Sequence, residues 1–173
     1  MKNILIKKGM RRTFPYFGIP SLIYINGNKD YSKSKSFMFT DSSIYDLHDE
    51  DQHDVNKLYG FSMWYHKKNS VRFGWRPSKD MKKMEIVAYE YFSGVRIPTT
   101  VICEVKLNEF YDYKINYDAE TAVLTYTVIN KYGREIGKYA HTKKIKKFVL
   151  GYSLTTYFGG NELAPHDILI HEK

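Results

Sequence analysis

The sequence is poor in cysteine, has no long apolar run and shows no helix-period pattern, and each absence excludes something. With a single cysteine, Cys103, the chain can form no internal disulfide, so packing must hold the fold. That thiol lies in the strand-like run Thr100-Val101-Ile102-Cys103-Glu104-Val105 and reads as a small buried hydrophobe, not a nucleophile. No apolar segment approaches the roughly 18 residues a spanning helix requires, and mean hydropathy is −0.50. Near the start only Ile4-Leu5-Ile6 is apolar, with Lys7, Lys8, Arg11 and Arg12 close behind. A secretory core needs about 7–15 apolar residues, so no signal peptide is expected. An intracellular location, or export by another route, follows as the expectation.

What the chain has in quantity is tyrosine, lysine and alternation. Hydrophobic residues make up 43% of 173 positions, enough for one domain with a core of its own. Residues 1–33 are expected to form an N-terminal arm or an extra hairpin, and residues 34–173 the main body. There are 16 tyrosines, and the net charge is +8 with a pI near 9.3. Such a balance suits acidic partners, or else lysines that keep sheet edges soluble.

Strand signals recur at 3–7, 21–25, 36–40, 57–66, 70–76, 83–92, 98–107, 110–117, 122–130, 134–140, 145–150, 152–158 and 166–171. Each is closed by turn residues such as Ser93-Gly94, Asp118-Ala119-Glu120-Thr121 or Lys131-Tyr132-Gly133. Many short strands at even spacing predict an all-β, two-sheet antiparallel sandwich.

The most informative stretch is 58–76. Tyr59, Phe61, Met63 and Tyr65 alternate with Gly60, Ser62, Trp64 and His66; Val71, Phe73 and Trp75 alternate with Ser70, Arg72, Gly74 and Arg76. A bend at Lys67-Lys68-Asn69 would set Tyr65 opposite Val71, Met63 opposite Phe73 and Phe61 opposite Trp75, making one face apolar. The other face would then carry Trp64 opposite Arg72, His66 opposite Ser70 and Gly60 opposite Arg76. A guanidinium over an indole is favourable. Trp64, His66, Arg72 and Arg76 are therefore the candidate ligand-binding residues, suited to a sugar ring stacked on the indole with its carboxylates or hydroxyls on the arginines.

The motifs Gly151-Tyr152-Ser153-Leu154-Thr155-Thr156-Tyr157-Phe158-Gly159-Gly160-Asn161, Asp54-Val55-Asn56-Lys57-Leu58-Tyr59-Gly60-Phe61 and Asn69-Ser70-Val71-Arg72-Phe73-Gly74-Trp75-Arg76 carry a resemblance. The chain resembles concanavalin A-like (laminin-G-like) jelly-roll proteins, in a subgroup found in Bacteroidetes and their phages. The resemblance spans about residues 36–170 and implies the fold, not an activity. Other proteins of that architecture include lectins, carbohydrate-binding modules, some polysaccharide lyases and viral coat or fibre domains. With no secretion signal expected, the resemblance implies a cytoplasmic or virion location.

Other chemistry is thinner. The loop Asp46-Leu47-His48-Asp49-Glu50-Asp51-Gln52-His53-Asp54 is dense in carboxylates, and Asp49, Asp51 and Asp54 are the candidate ligands for Ca²⁺. The alternative is a solvated turn. A lyase would use His66, Arg72, Arg76 and Tyr89 or Tyr91 on one face. The basic run Lys143-Lys144-Ile145-Lys146-Lys147 could contact phosphates, but nearby aromatics alternate inward, so a solvated strand edge is preferred. Three classes result. The first is a non-catalytic binding or assembly module, glycan-binding or virion-associated, with a glycan, other subunits or a second copy as partner. The second is a polysaccharide lyase-like enzyme acting on an anionic glycan. The third is a phage-encoded basic binder of nucleic acid or host protein.

Overall fold

The computed structural model describes residues 1–14, 21–145 and 149–173. Its strands are β1 (Lys2–Ile6), β2 (Thr13–Phe14), β3 (Leu22–Ile25), β4 (Tyr31–Phe39), β5 (Asn56–Met63), β6 (Ser70–Pro77), β7 (Lys83–Phe92), β8 (Val95–Arg96), β9 (Thr100–Lys106), β10 (Tyr111–Asp118), β11 (Val123–Asn130), β12 (Glu135–Thr142), β13 (Val149–Leu154) and β14 (Ile168–Glu172). Among the described residues the only helical pieces are 3-10 turns at Asp41–Ser43 and Glu50–His53. No helix there is long and apolar enough to cross a membrane.

The strands form two antiparallel sheets. The first runs β12-β11-β10-β4-β14-β1-β2; the second runs β3-β13-β5-β6-β7, with β8 and β9 both on the far edge of β7. The architecture is the expected two-sheet antiparallel jelly-roll sandwich. Residues 1–33 supply β1 and β2 to the first sheet and β3 to the second, and Lys2 stands opposite Glu172 in the β1–β14 pair. The two strands expected at 145–150 and 152–158 are one strand, β13; residues 146–148 lie outside the described part.

Period-two alternation decides the interior. From the first sheet Tyr111, Tyr113, Ile115, Tyr117, Leu124, Tyr126 and Val128 point inward; from the second come Tyr59, Phe61, Met63, Val71, Phe73 and Trp75, all buried. Aromatic pairs tie the layers: Phe73 meets Tyr113 and Tyr126 edge-on at 5.3 and 5.1 Å, and Trp75 meets Phe39 at 5.3 Å. Burying one such ring stabilises by about 1.5–3 kcal/mol. A phenol in the core needs an acceptor, and the Tyr59 hydroxyl donates to the Tyr113 carbonyl across the layers.

The β5–β6 hairpin departs from the expected pairing. Phe61 stands opposite Val71, Tyr59 opposite Phe73 and Gly60 opposite Arg72. β5 stops at Met63, whose N–H donates to the Asn69 carbonyl, while the Trp64 N–H donates to Leu150 on β13. The bend is therefore six residues, 64–69, instead of three. The slip moves the pairing by an even number of positions, so Tyr59, Phe61, Met63, Val71, Phe73 and Trp75 stay inward, while Tyr65, expected opposite Val71, falls in the bend and is half-exposed. A bulge between Lys57 and Tyr59 then lets Leu58 and Tyr59 both be buried and turns Lys57 onto the outer face opposite Gly74.

Glu90 sits on the inner face of β7, 2% exposed. Burial pushes its carboxyl up to about 7, with Tyr126 and Lys143 pulling the other way. The His141 ring lies 3.5 Å away, and burial, then Lys143, lowers its own pKa. A raised carboxyl pKa stabilises the fold fully below its ordinary value of 4.5, and that contribution is lost as pH rises through about 7. His141 works in the opposite sense, losing stability as pH falls below its ordinary 6.5. The difference between the parent and Glu90→Gln isolates the carboxyl. In urea denaturation it should move in the variant's favour by up to about 3 kcal/mol from pH 4.5 to above pH 7; a flat difference would show that Glu90 is not the titrating group.

Candidate functional site

The outer face of the second sheet is where the chemistry gathers. β6 must send Arg72 outward because Val71 and Phe73 are in the core. Across the strands, Tyr89 stands opposite Arg72 and Tyr91 opposite Ser70 on β7, while Tyr152 of β13 stands opposite Ser62 of β5. The bulge adds Lys57, and the segment after β13 brings Thr155 and Tyr157, whose main chain bridges to Lys57. Val55, Val87 and Tyr89, with Tyr91 against them, form an apolar cluster separate from the main core.

Glycine is required beneath this surface. A Cβ on Gly60 would lie 2.1 Å from the Val71 carbonyl oxygen, and one on Gly74 would lie 2.3 Å from a Val55 methyl.

Arg72 is half-buried in this setting. Its Nη2 donates to the Thr155 carbonyl at 3.3 Å, and its Nε is buried with no acceptor among the described residues. Burial lowers its pKa to about 10, with Tyr89, Tyr152 and Tyr157 acting against that fall. The Lys57 ammonium donates to the Val55 and Gly159 carbonyls at 2.7 and 3.1 Å and stands 4.7 Å over the Tyr89 ring. Burial, then the Arg72 charge, lowers Lys57 to about 8, with Asp54 offsetting in part. Neither cation makes an ion pair among the described residues, and the undescribed segments 15–20 and 146–148 contain no Asp or Glu.

Of the residues picked from sequence, His66 and Arg72 share this face. The His66 Nδ1 is 3.0 Å from the Tyr152 hydroxyl, and its carbonyl accepts from the Ser70 hydroxyl at 2.7 Å. Burial, then Arg72 and Lys67, lowers the imidazole pKa and favours its neutral form.

Trp64 is not opposite Arg72, and the expected indole–guanidinium pair does not form. It stands just past the end of β5 in left-handed backbone, φ 72, with its side chain 70% exposed beside the half-exposed Tyr65. That backbone is costly for a bulky residue and persists here because the Trp64 N–H is engaged by β13. Arg76 lies two rows away and is neutralised: its Nε donates to Glu85 at 2.7 Å and its Nη1 to the His53 carbonyl at 2.8 Å. It borders a cavity of about 130 Å³ with Gln52, His53, Ser78, Met81 and Glu85.

The proposed Ca²⁺ ligands do not converge. Asp49 caps its own turn, accepting from the Asp51 N–H at 2.9 Å. Asp54 is packed against Gly160, where a Cβ would collide with its carboxylate. Desolvation and the neighbouring Asp54 and Asp49 raise Asp51. No group of three or more His, Cys, Asp or Glu side chains placed to hold a metal occurs among the described residues. Cys103 is half-buried against Gly137, its thiol pushed up to about 12 by burial, then by Glu104. The His166 Nε2 is 2.9 Å from the Ser42 carbonyl, a structural bond. Lys146 and Lys147 of the basic run lie outside the described residues.

Lys57, Tyr152 and Tyr157 were thus missed, while Tyr89 was named only as an alternative to Tyr91 in the lyase reading. Only Tyr89 carried a signal, through alternation on its strand; Lys57 depends on a bulge, and the other two arrive from β13 and the segment beyond it.

No protein-family model matches the chain, and no curated protein matches it by sequence. Among solved structures it is similar to a functionally unknown protein from Saccharomyces cerevisiae, with TM-score 0.54 and 10% identity over 97% of this chain and 81% of that one. Weaker likenesses are to the lectin UEA-II complexed with galactose, TM-score 0.48 and 13% identity over 99% and 96% of the two chains. Another is to the CBM2 module of the evolved Dit of Lactobacillus casei BL23 phage J-1, TM-score 0.48 and 10% identity over 86% and 66%.

The lowered pKa of Lys57 gives a test of how dry this face is. Its folded pKa lies near 8 against an ordinary 10.5, so the folded state disfavours the proton and the parent gains stability as pH rises across that window. The stability of Lys57→Met relative to the parent should therefore decline from pH 8 to pH 10.5 in thermal melts. An unchanged offset would mean that the ammonium is fully solvated.

Proposed function

We propose that the protein is a non-catalytic glycan-binding module that takes a saccharide on the outer face of the second sheet. One observation carries this reading: Arg72 and Lys57, both part-buried, stand on the outer sheet face among Tyr89, Tyr91, Tyr152 and Tyr157. Sugars offer hydroxyls all round and C–H faces between them. Phenols meet both needs, with a ring for the face and an oxygen for the edge, and a guanidinium brings several donors in one plane. Trp64 and Tyr65, exposed beyond the end of β5, extend the aromatic surface past this patch.

Binding without turnover is preferred because the lyase arrangement is incomplete. It needs Arg76 beside Arg72, and Arg76 is occupied by Glu85. His66, a candidate base in that scheme beside Tyr89 or Tyr91, is already in contact with the Tyr152 hydroxyl.

A glycan array probed with the parent and with the Tyr152→Ala and Trp64→Ala variants tests the proposal. A defined subset of glycans should be retained by the parent, with affinity falling about tenfold or more on loss of Tyr152, equal to roughly 1.4 kcal/mol, and less on loss of Trp64. A blank array, or retention that Tyr152→Ala leaves unchanged, would overturn it.

A further inference from the structure

We propose that the saccharide held on this face is acidic, with a hexuronate carboxylate seated on Arg72 and Lys57. The inference rests on the glycan-binding reading above and names the group that the site selects.

The case begins with charge. All the carboxylates of the chain fall within described residues, yet none pairs with Arg72 or Lys57. Burying a cation without a counter-charge is unfavourable, and here two stand in neighbouring rows of one sheet face, with the exposed Arg96 opposite Tyr91 beside them. The strain shows in both groups, since each is pulled below its ordinary pKa by burial. On the same strand Arg76, by contrast, is neutralised by Glu85.

The donors fit a carboxylate in particular. A guanidinium offers five N–H groups in a rigid plane that matches a carboxylate fork. Arg72 has one bond, to Thr155, and its buried Nε has no acceptor among the described residues. Lys57 spends two of the three donors of an ammonium on the Val55 and Gly159 carbonyls. A carboxylate would take the remaining Nη donors of Arg72, which is only part-buried, and the charge of Lys57 together, while the part-exposed Tyr152 and Tyr157 stand beside them for the ring that bears it. A nucleic acid presents phosphates at repeated spacing, whereas these cations form a single focus walled by phenols.

Titration calorimetry with tetrasaccharides of galacturonate, of mannuronate and of glucuronate-containing hyaluronan, each beside its carboxyl-reduced neutral counterpart, tests the inference on the parent, Arg72→Gln and Lys57→Met. At least one acidic tetrasaccharide should bind about tenfold or more tightly than its reduced form. Both variants should lose most of that preference while keeping a cooperative melt, and the parent's preference should weaken as pH rises past about 8, where Lys57 gives up its proton. Should Arg72→Gln fail to fold, Lys57→Met decides alone. Equal binding of acidic and reduced forms, or an undiminished preference in Lys57→Met, overturns the acidic-group assignment and leaves glycan binding standing. No binding of any saccharide overturns both. A short DNA or RNA oligonucleotide that binds more tightly than every tetrasaccharide also overturns the assignment.

Discussion

Strand β6 has two sides that cannot be exchanged, and the rest of the molecule is arranged around that fact. Val71, Phe73 and Trp75 are wholly withdrawn from water, and a period of two leaves Arg72 and Arg76 no direction but outward. A slip by one residue would bury two guanidinium groups and expose an indole, a change no loop adjustment could compensate. The aromatic interior therefore fixes the charged exterior. Trp75 anchors one end through Phe39, Tyr45 and Phe158, and Phe73 anchors the middle through Tyr59, Tyr113 and Tyr126.

The two arginines then meet different fates, set by their neighbours across the sheet. Arg76 faces Glu85 on β7 and becomes part of the scaffold. Arg72 faces Tyr89, which offers a ring but no charge. A difference of four residues along one strand separates a structural ion pair from a cation without a paired carboxylate.

How much of this could be read in advance follows the range of each interaction. Alternation is local, so the sandwich, the inward set on β6 and the outward placement of Arg72 were all legible. The hairpin register was not, because the Trp64 N–H is captured by Leu150, a partner more than eighty residues away that no local pattern announces. The error was even in length, which is why the core residues survived it and Trp64, at the strand end, did not. Lys57 was hidden by a bulge that breaks the period at Leu58. Tyr152 and Tyr157 reach the face only because β13 joins β5. The acidic loop misled for the converse reason: its carboxylates stay near one another but do not turn toward a common point, since Asp49 caps its own turn and Asp54 turns toward Gly160.

The β1–β14 pairing has a consequence for handling the molecule. Because Lys2 faces Glu172 across a hydrogen-bonded ladder, the two ends of the described chain emerge side by side from the same sheet. A short flexible connector could join them and a new opening could be cut at an exposed turn such as Lys131-Tyr132-Gly133, leaving every strand pair intact. The same neighbourhood means that two tags or fused partners, one per end, would be held close together on the first sheet, whereas the tyrosine-lined face belongs to the second.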